Sequence, residues 1–267
     1  MGLFSNRIDE ASLKPGDHIY SWRAAYIYAH HGIYVGDNTV IHFTRNGQEV
    51  SLGTALDRLL ASSMTVRHQA FCPTCSLLPI DGHGVISSCL DCFLAGGTLY
   101  RFEYSVSRSY FLVKFRSGTC TLAASDPGDM VISRAQKLLE KGFGVYDLLK
   151  NNCEDFAIYC KTGLVVVVVE QGATGLSGQA AVARGGQLES VFNILIDLAV
   201  TKNIYATAVT VVRTHCMNRY AADIINRRDA VKITVEDLTR SRSSKGLVEV
   251  IDPHMADSKP QADKSAA

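Results

Sequence analysis

The stretch that decides the fold runs His30-His31-Gly32-Ile33-Tyr34-Val35-Gly36-Asp37-Asn38-Thr39-Val40-Ile41-His42-Phe43. Two runs rich in Ile, Val and Tyr flank Gly-Asp-Asn, the composition of two antiparallel strands around a tight turn. Successive side chains on a strand point to opposite faces, so His30 and His31 cannot serve one site. A three-residue loop over Gly36–Asn38 pairs Gly32 with His42 and Val35 with Thr39. His30 and His42 then become diagonal neighbours on one face, with Gly32 leaving room between them. A two-residue loop reverses the parity and brings His31 to His42 instead. Spacing alone leaves both open.

Downstream, Asn151-Asn152-Cys153-Glu154-Asp155-Phe156 reads as the start of a helix that Gly163 closes. Asn152 is a good N-cap and places Cys153 in the first turn. Unpaired amides and the positive end of the helix dipole favour thiolate there, which is the attacking species in acyl transfer. Such a nucleophile needs a base, usually histidine. The plain alternatives are a buried cysteine packing as a small hydrophobe and hydrogen-bonded structural histidines.

Taken together, the His30–Asp37 run, Val40-Ile41-His42-Phe43 and Asn152–Phe156 resemble the lecithin:retinol acyltransferase family. The likeness spans roughly residues 14–162, most closely the plant members described as NC-domain proteins. It implies an α+β fold, a circularly permuted papain-like domain with an antiparallel sheet. It also implies acyl transfer through a thioester on Cys153, with His30 as general base and His42 orienting it, and settles the parity for His30. The expected substrate is a lipid ester, giving acyltransferase or phospholipase A chemistry without a catalytic cofactor. Backbone amides at the start of the Cys153 helix are candidate oxyanion donors. The chain departs from many animal members in carrying Asp155 where they have His, and in a long cysteine-containing insertion. A cysteine peptidase or amidase, and an inactive interaction module, remain as alternatives.

A second pattern lies in that insertion, residues 68–97. Cys72-Pro73-Thr74-Cys75 and Cys89-Leu90-Asp91-Cys92 are two C-x-x-C pairs thirteen residues apart, the look of a four-thiolate structural zinc site in a metal-stapled loop. His68 and His83 are possible substitutes for one thiolate. Cys120, Cys160 and Cys216 have no partner pattern and read as core.

The remaining chain divides around these motifs. Asp17–Trp22, Leu99–Tyr104 and Tyr110–Phe115 have strand character. Asp126 as N-cap, Pro127 at the first position and Gly142 at the end frame a helix with apolar Met130, Val131, Ala135, Leu138 and Leu139 on its face. Val165–Val169 suits a buried strand, and Gly172–Gly186 a flexible loop. These readings give a catalytic domain over 14–165, a partly helical C-terminal region over 166–240 and a disordered tail over 241–267.

Composition sets the outer limits. The chain has 267 residues, with 47% hydrophobic and 20% charged residues, as in an ordinary globular protein. With 27 basic against 26 acidic residues, it lacks the charge of a general nucleic-acid binder. Residues 1–18 contain no secretory apolar core, and MGLFSN has Asn6 where a myristoylation signal needs a hydroxyl. Val191–Val212 is apolar but interrupted by Asp197, Thr201, Lys202 and Asn203, so it reads as packed helix or peripheral membrane contact. The expected location is cytoplasmic with reduced cysteines. The short basic runs Arg227-Arg228 and Arg240–Lys245 read as solvated or as favouring anionic lipid.

Overall fold

The computed structural model describes residues 6–23, 28–44, 72, 84–114, 118–146, 151–170, 173–176 and 204–243. Its centre is a five-stranded antiparallel sheet in the order β4-β3-β2-β1-β5. The strands are β1 (His18–Arg23), β2 (Tyr28–Gly36), β3 (Thr39–Phe43), β4 (Val85–Cys89) and β5 (Tyr100–Arg101).

The two faces of the sheet are built differently. Ile33, Ile41, Phe43 and Val85 face α3 (Gly128–Lys141) and α4 (Cys153–Thr162). They bury Val131, Ala135 and Leu138 of α3 and Phe156, Ala157, Tyr159 and Cys160 of α4. On the opposite face Ile19 and Val40 meet the short α1 (Leu90–Leu94) through Leu90, Phe93 and Leu94. Arg23 fastens α1 to β1 by donating to the carbonyls of Phe93 and Leu94.

The hairpin between β2 and β3 closes in a way that combines both loop lengths offered by the sequence. Asp37 and Asn38 form a two-residue turn, with φ of 47° and 57°, the left-handed pair that matches strand twist. Gly36 pairs with Thr39, not Val35 as the three-residue loop required. Val35 is then skipped, and the ladder resumes at Tyr34↔Val40 and reaches Gly32↔His42. The bulge restores the parity that the short turn reverses.

Several elements differ from their sequence reading. Of the run Tyr110–Phe115, Tyr110–Val113 is helix and not strand: α2 (Arg108–Val113) forms because Ser107 accepts the Tyr110 amide as N-cap, overriding the β propensity of the Tyr-Phe-Leu-Val run, and Phe115 lies outside the described residues. Only Tyr100–Arg101 of Leu99–Tyr104 joins the main ladder. Helix α3 starts one residue later than expected, with Pro127 at the cap and no side-chain cap bond. Asp126 instead holds Arg134 at 2.6 Å and Lys232 at 3.1 Å. Met130 is 44% exposed, off the buried stripe.

The cysteine-rich segment is also more regular than a stapled loop. Val85–Cys89 is a strand of the main sheet and Leu90–Leu94 a helix, with Val85, Leu90, Phe93 and Leu94 all buried. Residues 73–83, with Cys75 and His83, and His68 lie outside the described residues.

Toward the C-terminus, β6 (Leu164–Glu170) pairs with β7 (Ala173–Leu176) and with β8 (Ala230–Lys232). Val165 and Val166 are buried as expected. The glycine-rich segment thus begins as a strand, and residues 177–186 lie outside the described residues. The helices α5 (Ile204–Ala222) and α6 (Val235–Ser243) follow; α6 packs Val235 and Leu238 into the α3–α4 core. Ser241–Ser243, expected in the tail, complete α6, and residues 244–267 lie outside the described residues, as do 191–203 of the apolar stretch. No helix among the described residues is long and apolar enough to cross a membrane.

Candidate active site

Asn152 caps α4 as its sequence position indicates. Its side chain accepts the amides of Glu154 and Asp155, and the Asp155 carboxylate accepts the Asn152 amide, completing a capping box. This gives Asp155 a structural task. It also commits the Glu154 and Asp155 amides to the cap, so neither is open as an oxyanion donor. Asn151 holds the preceding loop through the carbonyls of Phe143 and Val145.

Cys153 itself is buried, with 1% of its surface exposed. Its thiol donates to the Ala29 carbonyl at 3.8 Å and accepts from the Tyr146 hydroxyl at 3.9 Å. The nucleophile candidate therefore meets β2 one residue before His30.

His30 and His42 sit together as the register demands. His30 Nε2 lies 2.9 Å from His42 Nδ1, and the rings meet edge to face with centroids 4.9 Å apart. His42 Nε2 continues to Ser88 Oγ at 2.9 Å, and Phe93 packs against both rings. Gly32 makes this possible: a Cβ there would stand 2.9 Å from Phe93 Cε2 and 3.1 Å from His42 Cβ. The histidine pair faces α1, while the body of α4 covers the other face of the sheet. Burial is the main cause that holds the His30 imidazole well below its ordinary range, followed by His42, Arg23 and His31. This depression favours the uncharged imidazole near neutral pH.

His31 projects the other way. Its Nδ1 lies 2.9 Å from His18 Nε2, and His18 Nδ1 lies 2.8 Å from the Tyr104 hydroxyl. His18 stacks flat on Phe102, with centroids 4.4 Å apart. Burial, then His31 and Lys161, keeps His18 uncharged in the same way.

Three of the four expected metal ligands are described and lie together. The thiols of Cys72, Cys89 and Cys92 are all within 4.8 Å of one another. Cys72 Sγ and Cys89 Sγ are 3.7 Å apart, far beyond the ~2.05 Å of a disulfide. Four sulfurs about 2.3 Å from a tetrahedral zinc are about 3.8 Å from each other, so the donor set fits such an ion. Cys120 and Cys160 are buried as core, and burial pushes both thiols up, that of Cys160 beyond any physiological range.

Ser88 and Tyr146 are the site residues that sequence reasoning missed. Ser88 acquires its role from strand pairing with β3, Val40↔Ser88, across a long separation in the chain. The Val-Ile-Ser-Ser run has strand propensity, but nothing in it marks Ser88 as a partner of His42. Tyr146 has no local signature.

The site thus joins a hairpin with paired histidines to a capped helix that begins at Cys153, and the family model for lecithin retinol acyltransferase matches residues 11–166. The chain belongs to this family. It is 60% identical to the protein LEAD-SENSITIVE 1 of Arabidopsis thaliana over 256 residues, covering 96% of this chain and 97% of that one. No solved structure matches the chain.

Proposed function

We propose that the protein is a thiol-dependent acyltransferase or phospholipase A-type enzyme that takes an acyl group from a lipid ester onto Cys153. Family membership supports the reaction class, and the His30–His42–Ser88 chain is the observation that carries the reading. Its hydrogen bonds have one useful polarity. When His42 Nε2–H donates to Ser88 Oγ, His42 Nδ1 accepts from His30 Nε2–H, and His30 Nδ1 keeps its lone pair as a base. The reverse polarity places a proton on Nδ1 and removes that function. His42 thus positions the base, and Ser88 anchors the far end of the chain.

Reaction requires the Cys153 proton to leave the Ala29 carbonyl for the imidazole of the next residue. The thiolate then attacks the ester carbonyl, and the protonated imidazole donates to the departing alcohol. Water or an amine attacks the thioester and restores the thiol. The nucleophile follows both histidines along the chain, as a circularly permuted papain-like domain requires, and that permutation is part of this reading. So is peripheral contact of a cytoplasmic protein with a lipid surface, with the basic run from Arg240 among the contributors; Arg227 is already held by Asp229 at 2.5 and 2.8 Å.

The thiol cluster is read as structural zinc, with Cys72, Cys89 and Cys92 as ligands and Cys75 as the fourth from its spacing. A closed four-thiolate shell supplies order, not an activated water.

Phosphatidylcholine vesicles with the full chain, acid quench and intact mass measurement test the enzymatic reading. An acyl mass on the Cys153 peptide, absent from Cys153→Ala, is expected. Ester hydrolysis that persists undiminished in Cys153→Ala would refute it, and acylation by a peptide thioester but no lipid would reassign the substrate class.

A further inference from the structure

The thiol cluster and the histidine pair share one short segment of chain, Ser88-Cys89-Leu90-Asp91-Cys92-Phe93. Ser88 bonds His42 at 2.9 Å, and Phe93 packs on His30 and His42 with ring centroids 5.2 and 5.4 Å apart. Their immediate neighbours in sequence, Cys89 and Cys92, are the cluster's two local thiols. Cys89 is both the last residue of β4 and the N-cap of α1. That helix has five residues, too few to hold its own shape in isolation. Cys72, from far back along the chain, supplies the third thiol.

We infer that a thiophilic divalent cation held by Cys72, Cys89 and Cys92 is a positioning device for the catalytic histidines. This rests on the zinc reading and the histidine assignment above and adds a link between them. An ion bridging Cys89 and Cys92 fixes the strand-to-helix corner at two points. Ser88 and Phe93, each one residue outside those points, are fixed with it. The Ser88 hydroxyl is then held where His42 Nε2–H can donate to it, and Phe93 closes the pair from above. Binding exchanges thiol protons for the cation and moves no electrons. Loss of the ion frees the corner, and with it the Ser88 anchor that holds the His42–His30 hydrogen bonds in place. The ion never approaches the substrate and contributes only through these two side chains.

The test uses the full chain, kept reduced, stripped with a chelator and reloaded with one equivalent of zinc. Metal content is measured by elemental analysis, and Cys153 alkylation by iodoacetamide is followed peptide by peptide. Reloading is expected to raise the Cys153 rate about tenfold, the low end for loss of a supporting partner. Ser88→Ala is expected to bind the same one equivalent while its Cys153 rate no longer responds. Ser88→Thr, which keeps the hydroxyl, is expected to recover the response. If stripping unfolds the chain, zinc is exchanged for the larger cadmium: the parent's rate should differ between the two metals and that of Ser88→Ala should not. Failure to bind metal refutes the zinc reading itself. One bound equivalent with an unchanged parent rate leaves zinc standing and overturns the coupling.

Discussion

Replacing Gly32 by alanine probes the closest packing in the site. The added Cβ would stand 2.8 Å from Val40 Cγ1, 2.9 Å from Phe93 Cε2 and 3.1 Å from His42 Cβ. Carbon atoms rest at about 3.5–4.0 Å, so relief needs movements of roughly 0.5–1 Å shared between β3 and α1. Val40 and Phe93 both have no exposed surface and no free direction in which to yield. Overpacking of this kind costs about 1–3 kcal/mol, and two contacts below 3 Å place Gly32→Ala near the top of that range. Lower chain entropy in the unfolded state returns about 0.5–1 kcal/mol, leaving a net loss of about 2 kcal/mol. Urea unfolding at constant m-value measures it, and thermal unfolding should fall by about 4–8 °C. Phe93→Leu shortens the obstructing ring and should cost less in the Gly32→Ala background than in the parent. Equal costs in the two backgrounds would refute the steric account.

The neutral buried histidines make stability depend on pH. Their native pKa is depressed, so the unfolded chain binds protons that the native chain does not. Stability should be complete above about pH 6.5 and fall below it by up to about 1.4 kcal/mol per pH unit for each of His18 and His30, which denaturant titrations at pH 7.5, 6.5 and 5.5 would show. Asp155→Ala removes half of the capping box and should lower stability by about 1 kcal/mol, with Asp155→Asn losing less because it keeps an acceptor for the Asn152 amide; equal losses would mean that this hydrogen bond contributes nothing and the charge alone acts at the helix end. Iodoacetamide should label Cys153 before Cys120 and Cys160, whose thiols burial pushes up, and peptide mapping that finds Cys160 modified first would contradict the assignment of the nucleophile.

Much of the central hairpin and the capped helix was legible because both rest on local rules. Alternation separated His30 from His31, and Asn152 announced a helix start. The loop length was not legible, since it depends on which residue the ladder skips. Val35 is skipped so that Ile33 and Ile41 can both enter the α3–α4 core while the turn stays two residues long. The run from Tyr110 was misread because its side chains favour strands, and a single serine upstream decided otherwise. In the cysteine-rich segment, glycine and proline disguised β4 and α1, whose apolar residues are few but wholly buried. Ser88 was invisible for a deeper reason. Nothing near it in sequence mentions His42, and only the order of strands makes them neighbours.

The skipped residue in the hairpin carries a consequence for changes in chain length. Because Val35 has no partner opposite it, its deletion would let Tyr34↔Val40 and Gly36↔Thr39 become consecutive rungs. Every pairing from Tyr34 back toward His30 would keep its register. Deleting Gly32 or Ile33 would instead rotate the preceding half of β2 by a full alternation and exchange the surroundings of His30 and His31. The hairpin therefore has one seam at which a residue can be lost without scrambling the faces, and an aligned homologue shorter by one residue here should place its gap at Val35.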